Sequence, residues 1–173
     1  MEENQPKTGK LALMFGLLTG GVGIIFAIML FTMEMQYERG VAVQGVQIAI
    51  LAAGIILAVA QFKKTNSGYL NISQALKVGA GVALIAGIAG LLWFFVFSNF
   101  IEPDFMDKSM ELAKVKTFED NPKMTEEQWT QGVEMQKKFA WITYPVILIF
   151  IIIIGLIVGL VSGLVMKKQN PAY

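Results

Sequence analysis

Polar and apolar residues occur along this chain in long blocks rather than at short intervals. Four apolar runs, at residues 11–33, 41–61, 78–98 and 139–166, contain no Asp, Glu, Lys, Arg or His. At a rise of 1.5 Å per residue, about 21 helical residues span the roughly 30 Å hydrocarbon core of a bilayer. The pattern therefore predicts an all-α integral membrane protein, a four-helix bundle forming one membrane domain over residues 1–173.

The longest polar segment, residues 99–138, is predicted to be an extracytoplasmic loop with two short amphipathic helices. The first begins at Pro103, which suits a first helical position. Its apolar face would hold Phe105, Met106, Met110, Leu112 and Ala113. Its polar face would pair Asp104 with Lys108 and Glu111 with Lys114. The second follows a capping-box pattern, Thr125 with Gln128, and no strong stop signal separates it from the fourth apolar run.

Local patterns also predict how the second and third runs are joined. Asn66-Ser67-Gly68 is typical of a turn, since Asn and Gly tolerate a positive φ. Asn71 followed by Gln74 resembles an N-cap with its return contact from the third helical position. We therefore expect the third span to begin before its apolar edge.

Each apolar run carries small residues spaced four apart, which in lipid permit close packing between helices. The glycines predicted to pack helices are Gly16, Gly20, Gly79, Gly87, Gly155, Gly159 and Gly163. In the second run the corresponding stripe is Gly45, Ala49 and Ala53. Because every run has a stripe, packing within one chain is favoured over dimerisation.

Charge predicts the orientation of the spans. With four spans both termini lie on one side, and the start, the 62–77 link and the tail carry seven lysines and only two glutamates. The segments of the other side carry seven basic residues spread over more positions, with eleven acidic ones. Since Lys and Arg are retained on the cytoplasmic side, both termini are predicted to be cytoplasmic.

Composition removes most kinds of catalytic chemistry. The chain has no Cys and no His, which excludes thiolate catalysis, disulfides, His-ligated haem and most zinc sites. Oxygen ligation by Glu102, Asp104, Asp107 and Glu111 stays open, but a solvated helix face explains those residues as well. We therefore expect no enzyme activity, no cofactor, no metal site and no nucleic-acid partner.

Three segments are distinctive when they are taken together. They are Phe62-Lys63-Lys64-Thr65-Asn66-Ser67-Gly68-Tyr69-Leu70 running on to Gln74-Ala75-Leu76-Lys77-Val78-Gly79, then Phe100-Ile101-Glu102-Pro103-Asp104-Phe105, and Thr125-Glu126-Glu127 leading into the glycine-repeat last span. With these segments the chain resembles an uncharacterised family of small bacterial four-span membrane proteins, the domain of unknown function 4199. The resemblance implies a bacterial inner-membrane protein without an assigned activity and supplies no catalytic residues.

Two corners of the chain are candidates for contact with other molecules. The basic corner, for docking or lipid contact, comprises Lys63, Lys64, Gly68, Tyr69 and Lys77. The acidic corner, for contact with a partner outside the membrane, comprises Glu102, Pro103, Asp104 and Phe105. Both corners also have a purely structural explanation. The basic corner would be a positively charged membrane anchor, and the acidic corner a place where the chain re-enters a helix.

The expected function is that of a structural or accessory partner of another membrane component. Its surroundings would be the lipid bilayer together with a membrane protein partner or further copies of the chain. The alternative is a small transporter or channel acting as an oligomer. An enzyme acting on lipid head groups comes third and would need a site built from Glu102 and Asp104.

Overall fold

The computed structural model describes residues 7–37 and 40–168, and the regular structure in this part of the chain is helical. Six α-helices follow one another: α1 (Thr8–Thr32), α2 (Val41–Thr65), α3 (Ile72–Val96), α4 (Phe105–Asp120), α5 (Glu126–Lys138) and α6 (Ala140–Met166). A π-helical turn, Phe97–Ile101, continues α3. No strand occurs in the described ranges, and an isolated antiparallel bridge joins Leu70 to Lys168.

Four of these helices, α1, α2, α3 with its π-helical turn, and α6, are long and apolar enough to cross a membrane. Their 25 to 30 residues correspond to about 37 to 45 Å of helix, more than the hydrocarbon core requires. They cover the four apolar runs of the sequence. A helix suits this environment because it satisfies its own backbone hydrogen bonds where water is absent. The chain thus has the architecture of a multi-pass membrane protein.

Two compact units make up the chain, and the first holds the described residues up to Gly90 and from Leu148 onward. Its buried apolar side chains are Ala12 of α1, Ile55, Ala58, Val59 and Phe62 of α2, Leu70 of the following turn, and Ala75, Val78, Val82 and Ala83 of α3. Most of them lie in the second half of α2 and the first half of α3. This core therefore lies beside the turn that joins those two helices.

Helix α3 contacts α1 and α6 through opposite faces. Gly79 faces Gly155 and Gly159 of α6, whereas Gly81 faces Ala12 of α1. Two residues advance a helix by about 200°, so Gly79 and Gly81 point in nearly opposite directions. Small residues on both faces let α3 lie close to both neighbours.

The predicted packing stripe of α2 is wrong. Gly45, Ala49 and Ala53 are all exposed, and a Cβ on Gly45 would have no neighbour within 4 Å. The close approach is made instead by Gly54, whose missing side chain leaves space for the buried side chain of Thr19 in α1. The stripe was placed by spacing alone, and in α2 the next residue along the chain faces the neighbouring helix.

The second unit, Leu91–Ile147, contains α4 and α5 and departs from the sequence prediction in three ways. Helix α4 begins at Phe105 rather than at Pro103. Met106 and Leu112, expected on its apolar face, are about half exposed, at 49% and 52%. Helix α5 ends at Lys138, because Phe139 takes a non-helical conformation before α6 begins.

The predicted ion pairs of α4 are also replaced by others. Lys108 bonds to Glu102 at 3.1 Å, not to Asp104, and Lys114 bonds to Glu126 of α5 at 2.6 Å, not to Glu111. Each pair now joins separate segments instead of successive turns of α4. The prediction considered only carboxylates three or four residues away along α4, whereas the fold brings more distant carboxylates closer to these lysines.

Candidate functional site

The basic corner begins at the carboxyl end of α2, where the chain reverses direction in a tight turn. The backbone N–H of Gly68 donates to the carbonyl of Lys63 at 2.9 Å. Asn66 and Tyr69 bond twice, through the backbone N–H of Tyr69 and through the side-chain amide of Asn66, each at 2.9 Å. Gly68 has a φ of +82°, a conformation that residues with a Cβ rarely adopt. The predicted turn is confirmed, and it fixes Lys63 and Tyr69 close together.

A backbone bridge ties this turn to the segment that follows α6. Leu70 and Lys168 exchange two backbone hydrogen bonds, both 3.0 Å long. The side chain of Leu70 is almost fully buried, at 1% exposure, and so anchors the bridge in the core of the first unit. The ammonium group of Lys168 lies 5.8 Å from the centre of the Tyr69 ring, within the range of a cation–π contact.

Helix α3 starts directly after this bridge. The N–H of Gln74 donates to the side-chain oxygen of Asn71 at 2.8 Å, and the N–H of Asn71 donates to the side-chain oxygen of Gln74 at 3.0 Å. The predicted cap is thus confirmed, and the helix begins at Ile72, six residues before the apolar run. Lys77, in the second turn of α3, is exposed.

The basic corner carries positive charge that the described residues of the first unit do not neutralise. Lys64, Lys77 and Lys168 are exposed, and Lys63 is half-buried. In the described part of the first unit the only carboxylate belongs to Glu34, which follows α1. The 25 residues of α2 place Glu34 and the basic corner on the order of 35 Å apart. The corner therefore has the electrostatics of an anion-binding surface.

The acidic corner is a folded connection between the π-helical turn and α4. Phe105 is buried, at 9% exposure, with its ring 5.2 Å from that of Phe97 and 6.0 Å from that of Phe94, both edge to face. Its N–H donates to the carbonyl of Glu102 at 3.0 Å. The Glu102 side chain is only 13% exposed and bonds to Lys108. These contacts give Glu102 and Phe105 structural partners.

Pro103 and Asp104, by contrast, are exposed. The sequence placed all four residues of the acidic corner in one contact surface, and the structure leaves these two facing outward. Among the described residues, no group of three Asp or Glu side chains is close enough to hold a metal ion.

The glycines singled out in the sequence lie against neighbouring helices of the first unit. Gly16 and Gly20 face Ile85 and Ala89 of α3. The remaining five, Gly79, Gly87, Gly155, Gly159 and Gly163, lie between α3 and α6. The closest approach joins backbones: a Cβ on Gly79 would meet the carbonyl oxygen of Gly155, and a Cβ on Gly159 would lie 2.8 Å from that of Ala75.

Comparison with family models gives one result that covers most of the chain. The model described as "Protein of unknown function (DUF4199)" matches residues 14–168. The chain belongs to the DUF4199 family. Comparison with curated proteins and with solved structures finds no match. As a DUF4199 protein, the chain is thus a membrane protein of a family whose function is unknown.

Sequence reasoning missed the part of this DUF4199 protein that completes the basic corner. In the sequence Lys168 is only one of the charges of the tail, yet the Leu70 bridge places it beside Tyr69. An isolated bridge of two residues has no strand-like pattern to reveal it. The only available signal was the pair of lysines that ends the last span.

Proposed function

We propose that this protein is a non-enzymatic structural or accessory partner of another membrane component. The observation that carries the proposal is the apolar surface of α4 and α5, which lie outside the four span-length helices. Val115 of α4 is 55% exposed and Met135 of α5 is 63% exposed, in addition to Met106 and Leu112. Lipid tails cover apolar side chains within a span, but those of a loop need a different cover. Leu112 and Val115 lie three residues apart, on one face of α4, and an exposed apolar face outside a span is a candidate interaction site.

The contacts between α4 and α5 leave this surface available. The helices meet through Phe118 and Trp129, whose rings are 6.4 Å apart, and through the ion pair of Lys114 with Glu126. The ammonium group of Lys114 also lies 5.7 Å from the centre of the Phe118 ring. Since these residues join the two helices, the apolar side chains that point elsewhere are free to bind a partner. In this proposal a partner covers the exposed apolar side chains of α4 and α5, and each helix then has an apolar face against the partner and a polar face in water.

Photo-crosslinking in the native membrane tests the accessory role. A photoreactive residue at Leu112 should give a reproducible product with another membrane protein, identified by mass spectrometry after purification in mild detergent. The matched control carries the same residue at Lys123, an exposed position in the α4–α5 connection. The double change Val115→Asn and Met135→Asn should reduce the Leu112 product at least about fivefold. Products with the chain itself alone, or equal products from both positions, would reject the proposal.

The proposed location is the bacterial inner membrane, with both termini in the cytoplasm. The support is the concentration of lysines at the start, in the 62–77 link and after α6, since basic segments remain cytoplasmic. The α4–α5 region would then face the extracytoplasmic side. A partner that binds α4 and α5 would need a domain on that side.

One observation favours the alternative, an oligomeric transporter or channel. Gln44 and Gln47 are exposed within α2, where lipid would otherwise meet only apolar side chains. Several copies placed with these amides facing one another would line a polar path. Solute flux in reconstituted vesicles that is lost in Gln47→Leu, and kept in the exposed control Ile48→Leu, would favour this function over the accessory role.

A further inference from the structure

We propose that the junction between the basic corner and the segment after α6 binds the phosphate of an anionic phospholipid headgroup. The junction consists of the basic corner together with Lys167 and Lys168. It is held by the backbone bridge between Leu70 and Lys168. This assignment concerns a lipid ligand and does not depend on the accessory role proposed above.

The junction is a fixed arrangement rather than a set of independent lysines. Two 3.0 Å backbone hydrogen bonds hold Lys168 beside Leu70, and the 2.9 Å bond from Gly68 holds the turn against Lys63. Lysines from the end of α2, the start of α3 and the end of α6 therefore belong to one assembly. Because the backbone is already ordered, binding an anion there requires ordering only of the side chains.

No ion pair neutralises the positive charge of the junction among the described residues of the first unit. The ion pairs of the described residues, Lys108 with Glu102 and Lys114 with Glu126, both lie in the second unit. The junction contains five lysines, Lys63, Lys64, Lys77, Lys167 and Lys168, whereas the only described carboxylate of the first unit is Glu34. Like charges repel one another, and a bound anion relieves that repulsion.

The position of the junction identifies the anion as a lipid headgroup. The span-length helices α2 and α6 end at Thr65 and Met166, and α3 begins at Ile72, so the junction lies where these helices would leave the hydrocarbon. Tyr69 is half-buried there, and tyrosine is enriched at headgroup depth. A lysine near an anionic membrane surface contributes about 1 kcal/mol of attraction.

The cation–π contact gives this site a geometric element that a simple charged anchor lacks. The Tyr69 ring lies against the ammonium group of Lys168 and restricts where that charge can point. The tyrosine hydroxyl can in addition donate a hydrogen bond to a phosphate oxygen. Because the junction carries five lysines, we expect selectivity for anionic over zwitterionic headgroups there.

Native mass spectrometry of the purified full-length protein tests this inference. Phosphatidylglycerol and phosphatidylcholine are added separately, and bound lipid is measured as a function of lipid concentration. The test variant is Lys167→Gln with Lys168→Gln, which directly follows α6. The matched control is Lys137→Gln with Lys138→Gln, an exposed lysine pair that closely precedes the same helix. Both remove two positive charges, and thermal unfolding in detergent checks that both variants fold.

We expect the unchanged protein to bind phosphatidylglycerol tightly. The dissociation constant should rise about tenfold in the test variant, equivalent to about 1.4 kcal/mol. In the control it should stay within about twofold of the original value. Lys63→Gln with Lys64→Gln should weaken binding similarly, because those residues belong to the same junction. Equal losses in test and control variants would overturn the proposal, as would equal binding of the two lipids by the unchanged protein. Displacement of the lipid by an equal concentration of inorganic phosphate would overturn the assignment to a lipid headgroup.

Discussion

Glycines with identical chemistry have very different surroundings in this protein, even within one helix. In α3, a Cβ on Gly79 would lie 3.0 Å from the Cα of Gly159 and closer still to the carbonyl oxygen of Gly155. Gly90 of the same helix is exposed, and a Cβ there would meet nothing within 4 Å. The backbone of α6 cannot move aside as a flexible side chain can. The consequence of adding one methyl group therefore depends on position.

We expect Gly79→Ala to destabilise the protein and Gly90→Ala to leave its stability unchanged or slightly higher. At Gly79 the new methyl group must push α3 and α6 apart, and overpacking of this kind costs about 1 to 3 kcal/mol. At Gly90 alanine only improves helix propensity, by up to about 1 kcal/mol. Thermal unfolding of both variants in the same detergent measures the difference. Equal unfolding temperatures for the two variants would contradict a backbone contact between α3 and α6.

At the scale of whole elements, the ends of α3 and α5 follow rules that act within a few residues. The side chain of Thr125 accepts from the N–H of Gln128 at 3.2 Å, and the Gln128 side chain accepts from the N–H of Thr125 at 3.0 Å. This confirms the capping box predicted from the sequence. Helix α5 has no buried residue, so its start depends on these local bonds more than on packing.

Replacing Thr125 by alanine should fray the first turn of α5. The lost cap costs about 1 kcal/mol, which raises the open population of that turn about fivefold. Hydrogen exchange at the amides of residues 127–129 should accelerate accordingly. The control is Thr130→Ala, also in α5. The Thr130 hydroxyl donates to the carbonyl of Glu126 and caps no helix end. Exchange in the control should stay near that of the unchanged protein, and equal acceleration in both variants would argue against a specific cap.

The same elements show where prediction from the sequence stops. The four apolar helices and the capped starts of α3 and α5 were predictable because hydropathy and capping act within one segment. The partner of Lys108 was not, since Glu102 comes close only after the chain turns ahead of α4. The packing face of α2 was missed for a related reason: α1 lies opposite Gly54 and nothing lies within 4 Å of a Cβ on Gly45, and spacing contains no information about that. The bridge that completes the basic corner joins residues almost a hundred positions apart.

At the scale of the whole molecule, the distribution of charge determines how the chain is expected to lie in a membrane. The described acidic residues other than Glu34 all belong to the second unit, whereas the lysines of the junction belong to the first. The proposed cytoplasmic placement of the termini rests on the lysines, which are more densely spaced in the segments on that side than in those on the other. In that orientation the proposed lipid site would lie in the cytoplasmic leaflet.

The absence of cysteine from the sequence makes this orientation directly measurable. Ser73→Cys and Asn121→Cys each introduce a single thiol at an exposed position, before and after the long apolar part of α3. A membrane-impermeant maleimide should label Asn121→Cys in intact spheroplasts, and Ser73→Cys only after the membrane is opened. Ile88→Cys, exposed on the same helix but within the apolar run, should stay unlabelled in both states because the reagent does not enter hydrocarbon. The reverse pattern would invert the orientation and move the lipid site to the outer leaflet. Labelling of both loop positions from one side would show that α3 does not cross the membrane, and the four-span architecture itself would then fail.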